Sequence, residues 1–458
     1  MSITKLLEFY PLLPFVGILL SIAIIPMMKP HWWVRNLNLV AGFWSLAFLV
    51  PLIINSGFAN ATHKILHIVL LDYIPFMILL LTLFVITGGI VVRGKLHGGA
   101  GVNTVLLGIG TLLASCVGTT GASVLMIRPI LRANAWRKAN MHVVIFFIFL
   151  VSNIGGVLTP VGDPPLFLGF LHGVPFFWTL RLAPIFLLAV VILLAIFYVI
   201  DRFYLKREVT VPVAGESRSI TVLGKRNYGY LLGVLFAIVL SGMLREHPWF
   251  YDQGVHCARG LSIAMGGNNL LLPWLNLLRD GAIFLMLLLS WFTTGRDVHA
   301  ENNFSWAPIE EVAYLFACIF ITIVPVIETL ETHGAHLGID TPAKFFWVTG
   351  VLSSFLDNAP TYLTFLSAAG GFFKAQPALL GLNPVVTDLG AVSAKFLIAI
   401  SAGAVFMGAN SYIGNAPNFL VKSIAEENGY KVPSFFGYML WSGCILLPLF
   451  GLITWMFF

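Results

Sequence analysis

Charge is what this chain has least of. Only 10% of its 458 residues are Asp, Glu, Lys or Arg, 58% are hydrophobic, and the mean hydropathy is +0.91, a balance no soluble globular domain sustains. No polar segment is long enough for a soluble domain; apolar runs of about 20 residues recur instead, each able to cross a hydrocarbon layer of about 30 Å. Cysteine is scarce as well: Cys116, Cys257, Cys318 and Cys444 are scattered with no CxxC spacing, so neither a disulfide framework nor a thiolate metal site is indicated. The histidines offer no zinc spacing, and all but His142, which begins a span, fall in or beside loops, which argues against a metal enzyme. The formal charge of +6 is no nucleic-acid signal, because basic residues in a membrane protein mark cytoplasmic loops. No cofactor is expected.

The apolar runs predict crossings at 10–28, 37–54, 72–92, 141–171 (interrupted), 176–200, 228–244, 280–294, 311–331, 391–420 (interrupted) and 435–457. The first is preceded by one Lys and has no small-residue cleavage site, so it reads as a retained span rather than a signal peptide. Two further stretches, 102–127 and 342–371, read as re-entrant hairpins. The first is flanked by Arg93 and Lys95 on one side and by Arg128, Arg132, Arg137 and Lys138 on the other, so a straight crossing would put one basic loop on the wrong face. Entering and leaving from the cytoplasm removes the conflict and places Lys29, Arg35, Arg202, Lys206, Arg207, Arg218, Lys225 and Arg226 inside as well. The expected fold is an all-α membrane protein of about ten transmembrane helices plus two re-entrant hairpins, in a bacterial inner (plasma) membrane.

An internal repeat organises these elements. A shift of 239 residues lays Ala114–Gly121 on Ser353–Pro360 and Asp72 on Glu311; a shift of 252 lays Thr159–Leu168, with Gly162-Asp163-Pro164-Pro165, on Ser411–Leu420, with Gly414-Asn415-Ala416-Pro417. The expected organisation is an N-terminal helix at 1–36, a first repeat at 37–200, a linker with one crossing at 201–279, and a second repeat at 280–458. The odd crossing between the units inverts the second, an architecture that puts transporter sites at the repeat interface.

Asp163 and Asp357 lie in the broken stretches. A carboxylate at membrane depth is costly and functional by default, and backbone freed of its helical bonds is tolerated there only where protein or a watery cavity covers it. Carbonyls and the side chains of Thr119, Thr120, Asn153, Thr159, Asn358, Asn410, Ser411 and Asn415 can replace the hydration shell of a small cation such as sodium. The two aspartates add charge and take up protons, so proton and cation compete. The plainer readings are that Asp163 and Asp357 cap the half-helices that follow them and that the Asn residues satisfy broken backbone. Asp72 and Glu311 sit at predicted membrane edges and read as interfacial residues rather than ligands.

At these motifs the chain resembles the ion transporter superfamily of NhaD-type sodium/proton antiporters, arsenite permeases and citrate or dicarboxylate carriers. Asn153-Ile154-Gly155-Gly156 through Gly162-Asp163 is similar to the NhaD-type pattern, Asp357-Asn358-Ala359-Pro360 to that family's hairpin tip, and Gly408 to Asn418 to its last Gly-rich break. The resemblance implies an elevator-like carrier, with sodium at hairpin tips and broken helices, that forms a homodimer. The chain departs from the NhaD-type pattern at Gly118-Thr119, where Asp-Asn is usual, and Pro164-Pro165 and Asn415 to Asn418 look closer to carriers of anions. The expected function is sodium/proton antiport by alternating access at Asp163 and Asp357. The alternative is sodium-coupled carriage of citrate or another carboxylate, in which Asn and Thr side chains and half-helix N-termini hold the anion. The expected partners are thus the lipid bilayer and an inorganic cation with a proton or a small organic anion. An intramembrane aspartyl protease lacks its Gly-x-Gly-Asp, since position 160 is Pro, and a passive channel has no use for paired broken helices.

Overall fold

The computed structural model describes residues 10–94, 97–208, 221–254, 257–265 and 268–458; the basic residues Lys95 and Arg218 lie outside them. Long helices dominate, and the protein is an all-α membrane protein. In chain order the helices are α1 Leu13–Met28, α2 Pro30–Ser56, α3 Phe58–Ile68, α4 Ile74–Gly88, α5 Ala100–Val117, α6 Thr119–Asn134, α7 Met141–Leu150, α8 Pro164–Leu171, α9 Ala183–Leu205, α10 Arg226–Met243, α11 Trp274–Thr293, α12 Arg296–Glu301, α13 Ala307–Thr322, α14 Val324–His333, α15 Pro342–Ser353, α16 Asn358–Ala375, α17 Ala394–Met407, α18 Ala416–Glu427 and α19 Phe435–Phe457. Among the described residues eight helical stretches are long and apolar enough to cross a membrane, and α13–α14, bent by 43° at Ile323, makes a ninth. Short antiparallel strand pairs join some of the loops.

Two packed groups are evident. α1, α2, α4, α10, α11 and α13 pack on one another; α5 to α9 and α14 to α19 form the second group, in which α5 packs on α6, α15 on α17, α8 on α16 and α18 on α6. Helices at the periphery turn apolar side chains outward, as at Leu39, Phe43, Val191, Val199 and Trp455, the surface lipid favours. By contrast, Val143 to Leu150 of α7 are all but inaccessible. The interrupted span is therefore wrapped in protein, as broken backbone requires.

The predicted interruptions are present. After α7 a short 3₁₀ turn, Ile154–Leu158, precedes α8, and after α17 a similar turn, Gly408–Asn410, precedes α18. Proline at the start of α8, and at the second position of α18, suits an N-terminus, where a missing N–H costs nothing. Hydrogen bonds repeat under the offsets seen in the sequence. Ser115 Oγ donates to Gly155 O and Ser354 Oγ to Met407 O; Thr159 Oγ1 donates to Ser115 O and Ser411 Oγ to Ser354 O. Each pair is related by 239 at the hairpin and 252 at the break.

The third span differs from its expected range of 72–92. Helix begins at Phe58 and runs through a π-turn, Val69–Tyr73, to Gly88, so Asp72 lies inside a continuous helix rather than at its edge. The polar His63, Lys64 and His67 hide this in the sequence; Lys64 is accommodated by Glu328 of α14 at 2.7 Å. A second feature unseen in the sequence is a buried polar knot at the base of the first hairpin. Asp201 of α9 takes Arg137 Nη1 and His142 Nε2 at 2.6 Å each and Asn103 Nδ2 of α5 at 3.0 Å, and Asn103 and Asn134 bond to each other at 2.8 Å.

Candidate functional site

Four helix N-termini meet at one cavity of about 340 Å³, a size that holds a small organic molecule. α6 starts after Gly118, α8 after Asp163, α16 after Asp357 and α18 after Asn415, and all four of these residues line the cavity. Gly118 makes the first hairpin turn at φ +80°, a backbone that side chains resist. The N–H of Thr119 then donates to Gly162 O at 2.8 Å, clamping the tip onto the break.

Asp163 is the centre of this meeting. It stands at the N-cap position of α8, but its side chain makes no capping bond. Instead its carboxylate accepts Thr119 Oγ1 at 2.7 Å, Asn358 Nδ2 at 2.6 Å and Asn415 Nδ2 at 3.2 Å. The group is 1% exposed. One carboxylate thus gathers the first hairpin tip, the second hairpin tip and the second break, which speaks against the capping reading. Asp357 differs: its Oδ1 accepts the N–H of Ala359 at 3.1 Å, so it caps α16 while lining the cavity. Neither aspartate pairs with a cationic side chain among the described residues.

The remaining predicted residues stand at two distances from the cavity. Thr120 lines it. Asn153, Thr159, Asn410 and Ser411 stand behind the lining and hold the breaks in shape: Asn153 Nδ2 donates to Ile148 O at 2.8 Å and to Asn418 Oδ1 at 2.7 Å, and Asn410 Nδ2 to Ser354 Oγ at 2.9 Å. Sequence reasoning passed over Asn418, whose Nδ2 donates to both Gly408 O and Ser411 O at 2.9 Å. Its signal was its place one turn into α18, from which a side chain reaches back to the helix start. Ser115 and Ser354 were also missed, although the repeat aligns them.

Could these residues hold a cation? Among the described residues no group of three His, Cys, Asp or Glu side chains is arranged for a metal ion. Amide oxygens are better placed: Asn153 Oδ1, Asn358 Oδ1 and Asn410 Oδ1 are buried acceptors without a donor, a costly condition that a bound cation relieves. At Gly408 a methyl group would stand 3.0 Å from Asn153 Oδ1, 3.1 Å from Gly414 O and 3.6 Å from Ser353 Oγ. A side chain at this break would therefore crowd the Asn153 and Gly414 oxygens, which glycine leaves room for.

Glu311, expected at a membrane edge, also lines this cavity, where it accepts the indole N–H of Trp33 at 3.3 Å.

Among known families, the model of CitMHS_2, described as "Putative citrate transport", matches residues 4–458. No curated protein matches the chain.

Proposed function

Because the chain belongs to that citrate-transport family, and is a membrane transporter rather than an enzyme, we propose that it carries citrate or a similar small carboxylate by alternating access, coupled to a small cation. The observation that carries this reading is the convergence of four helix N-termini, α6, α8, α16 and α18, on one cavity. Each N-terminus presents about half a positive charge, so four roughly offset the ionised Asp163 and Asp357. A cation bound beside Asp163 tips this balance positive, and the helix dipoles then favour an anion. Cation first and anion second is the order the electrostatics supports. The apolar lining from Phe76, Leu79, Leu83 and Phe167 keeps water from screening that attraction.

The test is uptake of labelled citrate into proteoliposomes under imposed gradients of sodium, lithium or protons. Accumulation driven by one of these gradients and lost in Asp163→Asn is the expected result. No citrate flux under any gradient, with the protein folded, refutes the reading.

Sodium/proton antiport is the second reading, favoured by two cavity carboxylates that lack a cationic partner among the described residues. It requires sodium-triggered proton movement in vesicles without any carboxylate present, and that signal separates the two.

A further inference from the structure

The cavity has two unlike walls. One is made of hairpin tips and breaks: Gly118 to Gly121, Pro160 to Pro164, Asp357, Tyr412, Ile413, Asn415 and Ala416. The other, from α1, α2, α4 and α13, is almost wholly apolar, with Ile22, Pro26, Val34, Phe76, Leu79, Val312 and Leu315. Glu311 interrupts that apolar wall. Its one hydrogen bond is the Trp33 indole, and no ion pair engages it among the described residues.

A free carboxylate facing the site of a carboxylate substrate demands an explanation. Ionised, it repels the anion across a low-dielectric space where charges interact strongly. Protonated, it loses that repulsion and gains an O–H that donates to the anion. Other groups do not neutralise it. From α2 the facing group is Trp33; Arg35 and the neighbouring Glu310 are exposed. From the π-turn, Tyr73 directs its hydroxyl to Ala313 O at 3.1 Å. Across the cavity stand Asp163 and Asp357, and on α18 Lys422 stands 5.7 Å from the Tyr412 ring centre but is held by Glu426 at 2.8 Å. Every other charge on the cavity wall has the same sign as that of Glu311.

The geometry points to Glu311 as the proton-dependent selector of this cavity: it binds one proton for each carboxylate substrate admitted and rejects the anion when ionised. The inference rests on the carboxylate reading above. The proton comes from water that reaches the cavity and returns to it when the anion leaves. By linkage, a site that gains a proton when the anion binds loses affinity for the anion by up to about tenfold per pH unit once the proton is scarce.

The experiment is the KM for citrate in proteoliposomes over a pH range in which citrate is fully ionised, so that its own titration does not contribute. The wild type is expected to lose affinity with rising pH, approaching tenfold per unit, while Glu311→Gln shows a flat profile and Glu311→Asp keeps the slope. Trp33→Phe, which removes the indole donor but leaves the carboxyl, displaces the falling limb along the pH axis without flattening it, and reports on the same group should Glu311→Gln fail to fold. A Glu311→Gln protein with the wild-type slope, or a Trp33→Phe protein with an unmoved limb, overturns the inference. A wild type that transports no carboxylate sinks the reading it rests on instead.

Discussion

Replacing Asp163 by two different residues separates its charge from its hydrogen bonds. In Asp163→Ala, the three donors from Thr119, Asn358 and Asn415 lose their acceptor in a buried place. Each unsatisfied donor costs about 1–3 kcal/mol, or about 3–9 kcal/mol together, comparable with the whole stability of many domains. In Asp163→Asn the loss is far smaller. The new amide keeps an oxygen towards Thr119 and Asn415, and its nitrogen meets Asn358, whose own Oδ1 has no donor and takes the new N–H after the Asn358 amide turns over. Detergent-solubilised Asp163→Asn should therefore melt within a few degrees of wild type, as followed by fluorescence-detected size-exclusion chromatography, yet show no stabilisation by sodium or lithium. Asp163→Ala should melt far lower or not accumulate. Equal melting of the two variants would show that the carboxylate does not tie the tips together.

Three further outcomes follow. Arg137→Met should lower stability by about 3–5 kcal/mol in a melting assay, because it leaves Asp201 buried short of its cation. Gly414→Ala places a methyl 2.5 Å from Gly408 O and 2.7 Å from Ser353 O, so it should cost about 1–3 kcal/mol or more, whereas Gly281→Ala, with open space around it, should be harmless. His172, in the turn past α8, is pushed down by burial, but Asp72 and Asp388 outweigh this and raise it from 6.5 to about 9. A raised value means that its charged contact stabilises fully below pH 6.5 and fades as pH climbs through about 9. The melting gap between wild type and His172→Gln should hold constant in acid and close in alkali; a gap that widens in alkali contradicts the assignment.

What the sequence disclosed was local. Gly118, the Pro164-Pro165 pair and Asp357-Asn358-Ala359-Pro360 mark helix starts by their own backbone chemistry, so the hairpins and breaks could be read from a few neighbouring letters. The bonding within the site could not. Whether Asp163 caps its helix or reaches Thr119, Asn358 and Asn415 depends on chain segments 44, 195 and 252 residues away, and no local pattern ranks those choices. The surroundings of Asp72 and Glu311 were hidden for a related reason. Hydropathy places a charged residue where an apolar run begins, but the π-turn at Val69–Tyr73 and the packing of α13 against Trp33 decide which way it faces. Asp201 drew no attention at all, since at the end of α9 it reads as one more solvated charge.

The shared carboxylate has a mechanical implication. Thr119 and Asn358 stand at the tips of separate hairpins, and both hang on the two oxygens of Asp163. Thr119 holds one oxygen and Asn358 the other, so a ligand that turns the carboxylate to engage either oxygen disturbs both bonds at once and couples the two tips through a single side chain.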